Sequence, residues 1–416
     1  MNLINKIKKI IYKLLKKSEK WTKTDMIYLF EGGFWLSLGK VISSLSGLLL
    51  AIAFANLLSK ESYGTYKYVL SLVSLLTIPT LSGINTALNR SIAQGNDKSF
   101  FTSLKTKIKW GSIGGILSLL LAGYYFFYKE DTTLTFCFLI SSIFIPFMDS
   151  IMVYQSILIG KKKFKMLSTQ NTIINTLAVI VMILILATTK NLFAVLFSYF
   201  ISHTTFRFIF LLFTLKKIKL NQNEDKTVVS YGKHLSLMGI IGTISSQIDK
   251  ILIFQFLGGV DLAIYSFAIT MPEQIRMFLK NINVLVMPKM SQNLSLSKKD
   301  IMKKIKIFFI VLFPIMILYI FLSPFIYRLF FPEYLDSIFY SQLFALSLFS
   351  IPFTSLGISY LTSQKKEKNL YNISIWSSVI NIILLFGGIY FFGLLGAIIS
   401  RVFYHLFYSA LIYKKS

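Results

Sequence analysis

Long apolar segments, separated by short polar connections, run through almost the whole of this 416-residue chain. Segments of about 20 residues recur about twelve times, and a helix of that length can cross a hydrocarbon layer of about 30 Å. Hydrophobic residues make up 55% of the composition. The pattern predicts an all-α, polytopic membrane protein with about 12 transmembrane helices. The predicted spans are residues 34–57, 68–88, 110–127, 134–159, 168–187, 192–214, 235–257, 262–285, 307–330, 338–361, 371–392 and 394–413.

Lysine and arginine side chains fall almost entirely on one side of this row of segments. They cluster before the first span and in every second connection thereafter, whereas the alternate connections carry few of them. Because an excess of lysine and arginine marks the cytoplasmic side of a membrane protein, both termini are predicted to be cytoplasmic. Attraction to anionic lipid headgroups then accounts for the formal net charge of +27. Membrane lipids rather than nucleic acid are therefore the expected partners.

The first 25 residues lack the apolar stretch and the cleavage site of a signal peptide. Leu3, Ile7, Ile11 and Leu14 instead repeat at helical spacing, with lysines between them. This pattern predicts that segment 1–25 is a basic amphipathic helix lying in the cytoplasmic interface. A disordered basic tail is the alternative.

A faint internal repeat divides the rest of the chain into two halves. The first span ends in a turn followed by Tyr63, and the seventh ends in Gly258-Gly259 followed by Tyr265. Because six spans separate the copies, both halves enter the membrane in the same sense, which makes them a parallel repeat. A binding cavity is expected between the halves. The predicted domains are an N-terminal six-helix half (26–215), a polar cytoplasmic linker (216–229) and a C-terminal six-helix half (230–416).

Several cationic and aromatic side chains fall inside predicted spans, where an ionisable group is costly unless it faces protein, water or an opposite charge. Lys40 shares a small, polar helix face with Ser44 and Gly47. Its alternative role is to snorkel to the cytoplasmic interface, and the same alternative applies to Arg207. Together these side chains would form a cationic cavity suited to a polyanion or a sugar. The predicted substrate-binding residues are Lys40, Tyr199, His203, Arg207, Arg401, Tyr404, His405 and Tyr408.

Two acidic side chains are candidates for carrying a coupling ion, H⁺ or Na⁺. Asp149 on the fourth span has no charged neighbour in sequence, and its alternative role is a hydrogen-bonded structural carboxyl. Asp249 on the seventh span is followed by Lys250, and neutralisation by that lysine is the favoured alternative. Glu273 and Arg276 are three residues apart, and they are predicted to pair on one helix.

No feature of the sequence indicates an enzyme or a metalloprotein. Cys137 is the only cysteine and lies in an apolar run, so neither a disulfide framework nor a thiol metal site is expected. Neither a GxxxxGK[ST] phosphate loop nor a nucleophile elbow occurs. The sequence therefore predicts no cofactor, no metal and no catalytic residue. Energy for transport is expected from an ion gradient, the membrane potential or the substrate gradient.

Three motifs in order carry a family resemblance that extends from Met26 to the C-terminus. They are residues 63–66 (YGTY) after the first span, residues 83–93 at the end of the second, and residues 247–252 (QIDKIL) ahead of Gly258-Gly259. With them the chain resembles the polysaccharide-unit flippases for O-antigen and capsule, which belong to the MATE-like multidrug, oligosaccharidyl-lipid and polysaccharide exporter superfamily. The resemblance implies a carrier in the bacterial inner membrane that moves an undecaprenyl-diphosphate-linked oligosaccharide outward by alternating access. Candidate protein partners are a glycan polymerase and a chain-length regulator.

Three other functions are weighed against this one. An ion-coupled multidrug or organic-cation antiporter of the same superfamily is the main alternative, but its cavity should be rich in acids rather than bases. A glycan polymerase or lipid-linked glycosyltransferase would ordinarily need a substantial external loop, and the predicted external loops are short. A flippase for a teichoic-acid or peptidoglycan precursor often has two further spans, which the predicted topology lacks.

Overall fold

The computed structural model describes residues 26–280, 298–364 and 367–415, and these ranges contain helices and short connections without any strand. The all-α prediction is confirmed. The predicted interfacial helix at 1–25 and the end of the eighth span lie outside the described residues. The helices in chain order are α1 (Met26–Leu57), α2 (Lys60–Leu76), α3 (Gly83–Ala93), α4 (Ser99–Phe127), α5 (Thr132–Met148), α6 (Gln155–Gly160), α7 (Phe164–Thr189), α8 (Leu192–Lys217), α9 (Val228–Leu257), α10 (Gly259–Lys280), α11 (Lys298–Phe330), α12 (Ser337–Ala345), α13 (Ile351–Ser363) and α14 (Glu367–Lys415).

Most of this helical structure is long and apolar enough to cross a membrane. Within the described ranges nine helices meet that description, or ten if the bent pair α2 and α3 counts as one span. One of them covers Asn369–Lys415, and Gly393, at φ 57°, divides it into two helical segments with no loop between them. The prediction of a polytopic membrane protein is confirmed. The count of twelve spans and the side of each terminus stay predictions.

Three predicted spans are not continuous helices. The second span breaks between α2 and α3, which differ in direction by 48°. Pro79 lies there in a 3₁₀ turn, and Leu81 adopts a left-handed conformation at φ 59°. The fourth and tenth spans are interrupted by 3₁₀ turns at Ile151–Tyr154 and Leu346–Ser350, but each still runs on as one spanning helix. Hydropathy did not reveal these breaks, because such turns are nearly as apolar as the helices that they join.

The connections alternate between two ends of the molecule, as a row of spanning helices requires. One of them, the lysine-rich end, is predicted to be cytoplasmic, and there Lys161 Nζ lies 2.7 Å from Asp97 Oδ2. At the other, the lysine-poor end, Lys60 Nζ lies 3.6 Å from Asp336 Oδ2. The lysine-rich end holds the connections 94–98, 161–163 and 218–227, and the lysine-poor end holds 58–59, 128–131 and Gly258.

The two predicted halves touch near both ends. At the lysine-poor end α2 and α10 cross so closely that a Cβ on Gly64 would lie 1.8 Å from the carbonyl oxygen of Gly259. Towards the lysine-rich end the backbone N–H of Gly83 donates to Ser236 Oγ at 2.9 Å. A Cβ on Gly83 would lie 2.5 Å from the backbone nitrogen of Ser236. Glycine is required at both crossings, because any side chain would push the helices apart.

The connection between α8 and α9 packs against the first half. The backbone N–H of Asn221 donates to Asp97 Oδ2 at 3.0 Å, and the backbone N–H of Asp97 donates to Asn221 Oδ1 at 3.1 Å. Further along, the backbone N–H of Asp225 donates to Ser99 Oγ at 2.8 Å. Asp97 is fully buried in this contact. These bonds fix the predicted linker to the turn that precedes α4.

Candidate functional site

A cavity of about 400 Å³ lies between the two predicted halves, next to the crossing of α2 and α10. Faces of α1, α2 and α10 supply most of its wall, and Tyr199 of α8 and Lys250 of α9 complete it. On each of the three faces the lining side chains follow the spacing i, i+3, i+4 and i+7, which places them in one stripe of a helix. The stripes are Gly47, Leu50, Ala51 and Phe54 on α1, Tyr63, Tyr66, Lys67 and Leu70 on α2, and Ser266, Ile269, Thr270 and Glu273 on α10.

Among the described residues, the charged side chains that line the cavity are Lys67, Lys250 and Glu273. Lys250 Nζ donates to Gln247 Oε1 at 2.9 Å, and Lys67 Nζ lies 5.3 Å from the centroid of the Tyr63 ring. An ammonium group has three donors, so one such contact leaves hydrogens for a ligand. Two cations against one carboxylate give the cavity a net positive charge, which favours an anionic ligand.

Aromatic rings form the wall of the cavity on both sides of the crossing. Tyr63 packs against Phe54 at 5.1 Å between ring centroids and against Phe267 at 4.7 Å. The Tyr66 ring meets the Tyr199 ring edge-on at 6.2 Å. Packed tyrosines present flat apolar faces together with hydroxyl groups, a combination that can stack on sugar rings and hydrogen-bond to them.

An ion pair behind the cavity joins the last helix of the chain to α9. Arg401 Nε lies 3.3 Å from Oδ2 of the fully buried Asp249. The Tyr265 hydroxyl donates to the same oxygen at 2.7 Å, and the backbone N–H of Lys250 donates to Oδ1 at 2.9 Å. The favoured alternative, in which Lys250 neutralises Asp249, therefore needs a correction. Adjacent helix residues point in different directions, so the side chain that pairs with this carboxylate comes from α14 instead.

Glu273 takes part in a second network at the edge of the cavity. Arg276 Nε lies 3.3 Å from Glu273 Oε1, which confirms the predicted pairing of these two residues. His405 Nδ1 lies 3.0 Å from Arg276 Nη1, and His405 Nε2 lies 3.9 Å from Glu273 Oε1. Arg276 also donates to Ser347 and Ser350, in the 3₁₀ turn that interrupts the tenth predicted span.

Tyr404 and Tyr408 are the other predicted binding residues of α14, and they lie on the same helix as Arg401 and His405. The guanidinium carbon of Arg401 lies 5.9 Å from the centroid of the Tyr404 ring. Tyr404 stacks on Tyr408 at 6.1 Å, and Tyr408 packs against the buried cluster of Leu361, Ile373 and Ile412. These rings form one continuous face with Arg401, but they lie outside the cavity wall.

Asp149, at the end of α5, has a charged neighbour that the sequence did not reveal. Lys107 of α4 is completely buried, and its Nζ lies 2.9 Å from Asp149 Oδ2. Thr80 Oγ1 donates to the same oxygen at 2.7 Å. The expectation that Asp149 lacks a charged neighbour is wrong, because the predicted third span begins only at Trp110 and leaves Lys107 in the preceding connection. This lysine belongs to α4, which begins at Ser99.

The predicted residues of the first half are spread over different surroundings. Tyr199 lines the cavity, and the His203 ring packs edge-on against it at 4.8 Å. Arg207 Nη1 donates to the backbone carbonyl of Met148 at 2.9 Å, beside Asp149 rather than in the cavity. Lys40 is exposed on α1. Two helical turns, about 10 Å, separate it from Gly47 at the start of the cavity stripe.

Sequence reasoning did not assign Lys67, Lys250 and Glu273 to the site as ligand-binding residues. The sequence pattern places Lys67 in the external connection after the first span, whereas α2 already begins at Lys60. The spacing from Tyr63 to Leu70 would have revealed it, since that stripe combines two tyrosines and a lysine on one helix face.

The all-helical fold, with a cavity between two groups of spanning helices, defines this chain as a polytopic membrane protein. Residues 29–294 match the family model described as "Polysaccharide biosynthesis protein". The chain belongs to that family. No curated protein sequence matches it significantly.

Solved structures with the same fold are flippases and transporters. The lipid II flippase MurJ in an inward closed conformation aligns with a TM-score of 0.71 at 15% identity, over 91% of this chain and 87% of that chain. MATE in the straight conformation aligns with a TM-score of 0.61 at 12% identity, over 93% and 94%. A transporter of the MOP superfamily from Pyrococcus furiosus, described by the reverse polarity of its binding pocket, aligns with a TM-score of 0.59 at 12% identity, over 93% and 94%.

Proposed function

We propose that this protein is a flippase that moves an undecaprenyl-diphosphate-linked oligosaccharide repeat unit, of O-antigen or capsule, across the bacterial cytoplasmic membrane by alternating access. The observation that carries the proposal is a cavity with net positive charge between two helical halves, in a chain of the polysaccharide biosynthesis family. The solved lipid II flippase of the same fold supports transport of a lipid-linked substrate.

The charge of the cavity fits the headgroup of such a lipid. A diphosphate carries several acceptor oxygens, and ammonium groups are effective phosphate ligands. Lys67 and Lys250 lie on different predicted halves, and both line the cavity. A diphosphate bound by both would therefore link the halves, and its release would follow when they separate.

The tyrosines of the wall fit the sugar portion. Tyr63, Tyr66 and Tyr199 line the cavity beside the two lysines, so sugar rings next to the diphosphate would meet aromatic faces. The polyprenyl tail would remain in the hydrocarbon, where its transfer costs no exposure to water.

The antiporter alternative has weaker support. An organic cation would need unpaired carboxylates in the cavity, and Glu273, the acidic side chain of the wall in the described chain, pairs with Arg276 at 3.3 Å. Asp149 and Asp249 remain our candidates for coupling to H⁺ or Na⁺. Since Lys107 and Arg401 pair with these carboxylates, a coupling ion would have to replace an internal cation.

The test is leaflet-resolved accumulation of the lipid-linked oligosaccharide in cells that lack the gene and are complemented with variants. We expect Lys67→Gln and Lys250→Gln each to leave the lipid accumulated in the cytoplasmic leaflet, because each removes one of the two cavity cations. Lys129→Gln, which changes an exposed lysine of a connection, is the matched control and should restore external display.

Normal external display with both cavity variants would contradict the assignment of the diphosphate to these lysines. Normal display in cells without the gene, together with a changed drug sensitivity, would contradict the flippase and favour the antiporter. The amount of each variant in the membrane fraction distinguishes lost transport from lost folding.

A further inference from the structure

A second, larger cavity of about 640 Å³ opens at the lysine-rich end, away from the site between the halves. It lies where the start of α7 and the end of α8 meet the first half of α1, and it is lined by Trp35, Phe164, Gln170 and Phe210 among others. In the described chain the two cavities share no lining residue. The function proposed above therefore does not account for this cavity.

Four lysines line the polar part of this cavity. Lys162, Lys163 and Lys165 come from the turn before α7 and its first residues, and Lys217 comes from the last turn of α8. Lys165 Nζ lies 4.5 Å from the centroid of the Trp35 ring, and Lys217 Nζ lies 5.5 Å from that of Phe213. These contacts hold ammonium groups of separate helices at one mouth. Within the described chain, no carboxylate lines the cavity.

The other part of the cavity is apolar and continues onto a lipid-facing surface. Ile173 and Phe213 line it, and both also belong to the exposed apolar surface. Leu177 follows Ile173 one turn further along α7, and Leu212 precedes Phe213 on α8; both are exposed. A ligand that holds its polar group between the lysines would therefore run its apolar part along α7 and α8 into the hydrocarbon.

We infer that this cavity binds one anionic phospholipid of the leaflet at the lysine-rich end, with its phosphate among the lysines and its acyl chains against Ile173 and Phe213. Charge complementarity selects this occupant, because phosphate is the anion of a bilayer surface and cationic clusters attract it. Segment 1–25 is a poorer occupant, since it carries eight lysines of its own. The bound lipid is distinct from the transported one and would hold α1, α7 and α8 together.

The experiment places a fluorescent reporter inside the cavity. The chain has four tryptophans, so full-length protein with Trp21, Trp110 and Trp376 changed to Phe reports from Trp35 alone. The purified protein is mixed with phosphatidylglycerol or phosphatidylcholine brominated on the acyl chains, because bromine quenches tryptophan only on contact. We expect quenching of Trp35 at a concentration of phosphatidylglycerol at least about tenfold below that of phosphatidylcholine.

Two triple variants test the lysines. Lys163→Gln, Lys165→Gln and Lys217→Gln together remove three of the four lysines of the cavity and should reduce the preference for the anionic lipid severalfold. Lys105→Gln, Lys109→Gln and Lys219→Gln together should keep it, since these exposed lysines lie outside the cavity. Because the readout is a ratio between two lipids, a changed fluorescence of Trp35 itself does not affect it.

Four results would overturn the inference. The first is equal quenching by both lipids, and the second is a preference that is undiminished in the cavity triple variant. The third is displacement of the brominated lipid by an equal concentration of glycerol 3-phosphate, since that would identify a free phosphate as the ligand. Absence of any quenching at Trp35 would likewise exclude a lipid at this position.

Discussion

Arg401 Nε lies 3.3 Å from Asp249 Oδ2, and this contact joins the final helix of the chain to the helix that carries Lys250 of the cavity. The carboxylate is fully buried, and the arginine side chain is 14% exposed. A buried carboxylate without a counterion is costly in a low-dielectric interior. Arg401 therefore compensates the charge of Asp249, whose other carboxylate oxygen accepts a hydrogen bond from the backbone N–H of Lys250.

Replacing Arg401 with alanine should lower the free energy of unfolding by about 3 kcal/mol or more, because Asp249 would stay buried with its charge uncompensated. Thermal unfolding of the purified protein measures the loss. The double variant Arg401→Ala with Asp249→Asn should recover part of it, because the neutral amide no longer needs a cation.

Arg328→Ala serves as the control for the loss of an arginine, since Arg328 is exposed in the last turn of α11. Equal stability of the Arg401 and Arg328 variants would contradict a structural role for the ion pair.

Replacing Gly64 with alanine should separate the two halves at the lysine-poor end, because the new Cβ would overlap the carbonyl oxygen of Gly259. Solvent and small reagents would then enter the cavity from the lysine-poor end. A cysteine introduced at Ser266, a buried residue of the cavity wall, should react severalfold faster with a membrane-impermeant thiol reagent added outside the cell. The native Cys137 is buried and should contribute little background.

Gly47→Ala is the matched control, because a Cβ at Gly47 meets no atom within 4 Å although this residue also lines the cavity. An unchanged labelling rate in the Gly64 variant would mean that this crossing does not close the cavity.

The start of α9 should depend on pH through Asp225. Hydrogen bonds from the Thr227 hydroxyl and then from its backbone N–H, at 2.7 and 2.9 Å, hold the pKa of Asp225 below its ordinary value. A lowered pKa in the folded state means a stabilising contribution that is present above the unfolded pKa and lost as pH falls through the folded one. Amide hydrogen exchange at residues 227–231 should therefore quicken in acid, after correction for intrinsic rates.

Asp225→Asn should show the faster exchange of these amides already at neutral pH and should lose the acid dependence. A variant whose exchange matches that of the wild type at every pH would show that another group anchors the helix.

More of the fold than of the candidate site can be predicted from the sequence, and the reason is physical. Span length and lysine distribution are set by the bilayer, which acts on each segment separately, so hydropathy predicted the all-α membrane fold. The partner of a buried charge is set by packing between distant segments. Lys107 and Asp149 are 42 residues apart along the chain, and no local pattern indicates that they meet.

Lys67 shows a second reason why hydropathy does not predict the whole site. Its helix stripe with Tyr63 and Tyr66 is local and readable, but hydropathy assigned the residue to a connection because it is charged and near the end of a span. The spacing of Tyr199, His203 and Arg207 on one helix face predicts Tyr199 as a site residue, and Tyr199 lines the cavity. Periodicity within a helix is therefore the better guide to such a cavity.

The reciprocal hydrogen bonds between Asp97 and Asn221 fix the connection between the two predicted halves to the first half, so that few residues of the connection are free to extend. Asp225 is held by Ser99, and α9 begins only three residues later, at Val228. A residue adds at most about 3.6 Å of reach, so the first turn of α9 cannot travel far from α4. If the two predicted halves move apart, we expect their separation to stay small beside this connection and to be larger at the opposite end of the molecule or on the far side of the bundle.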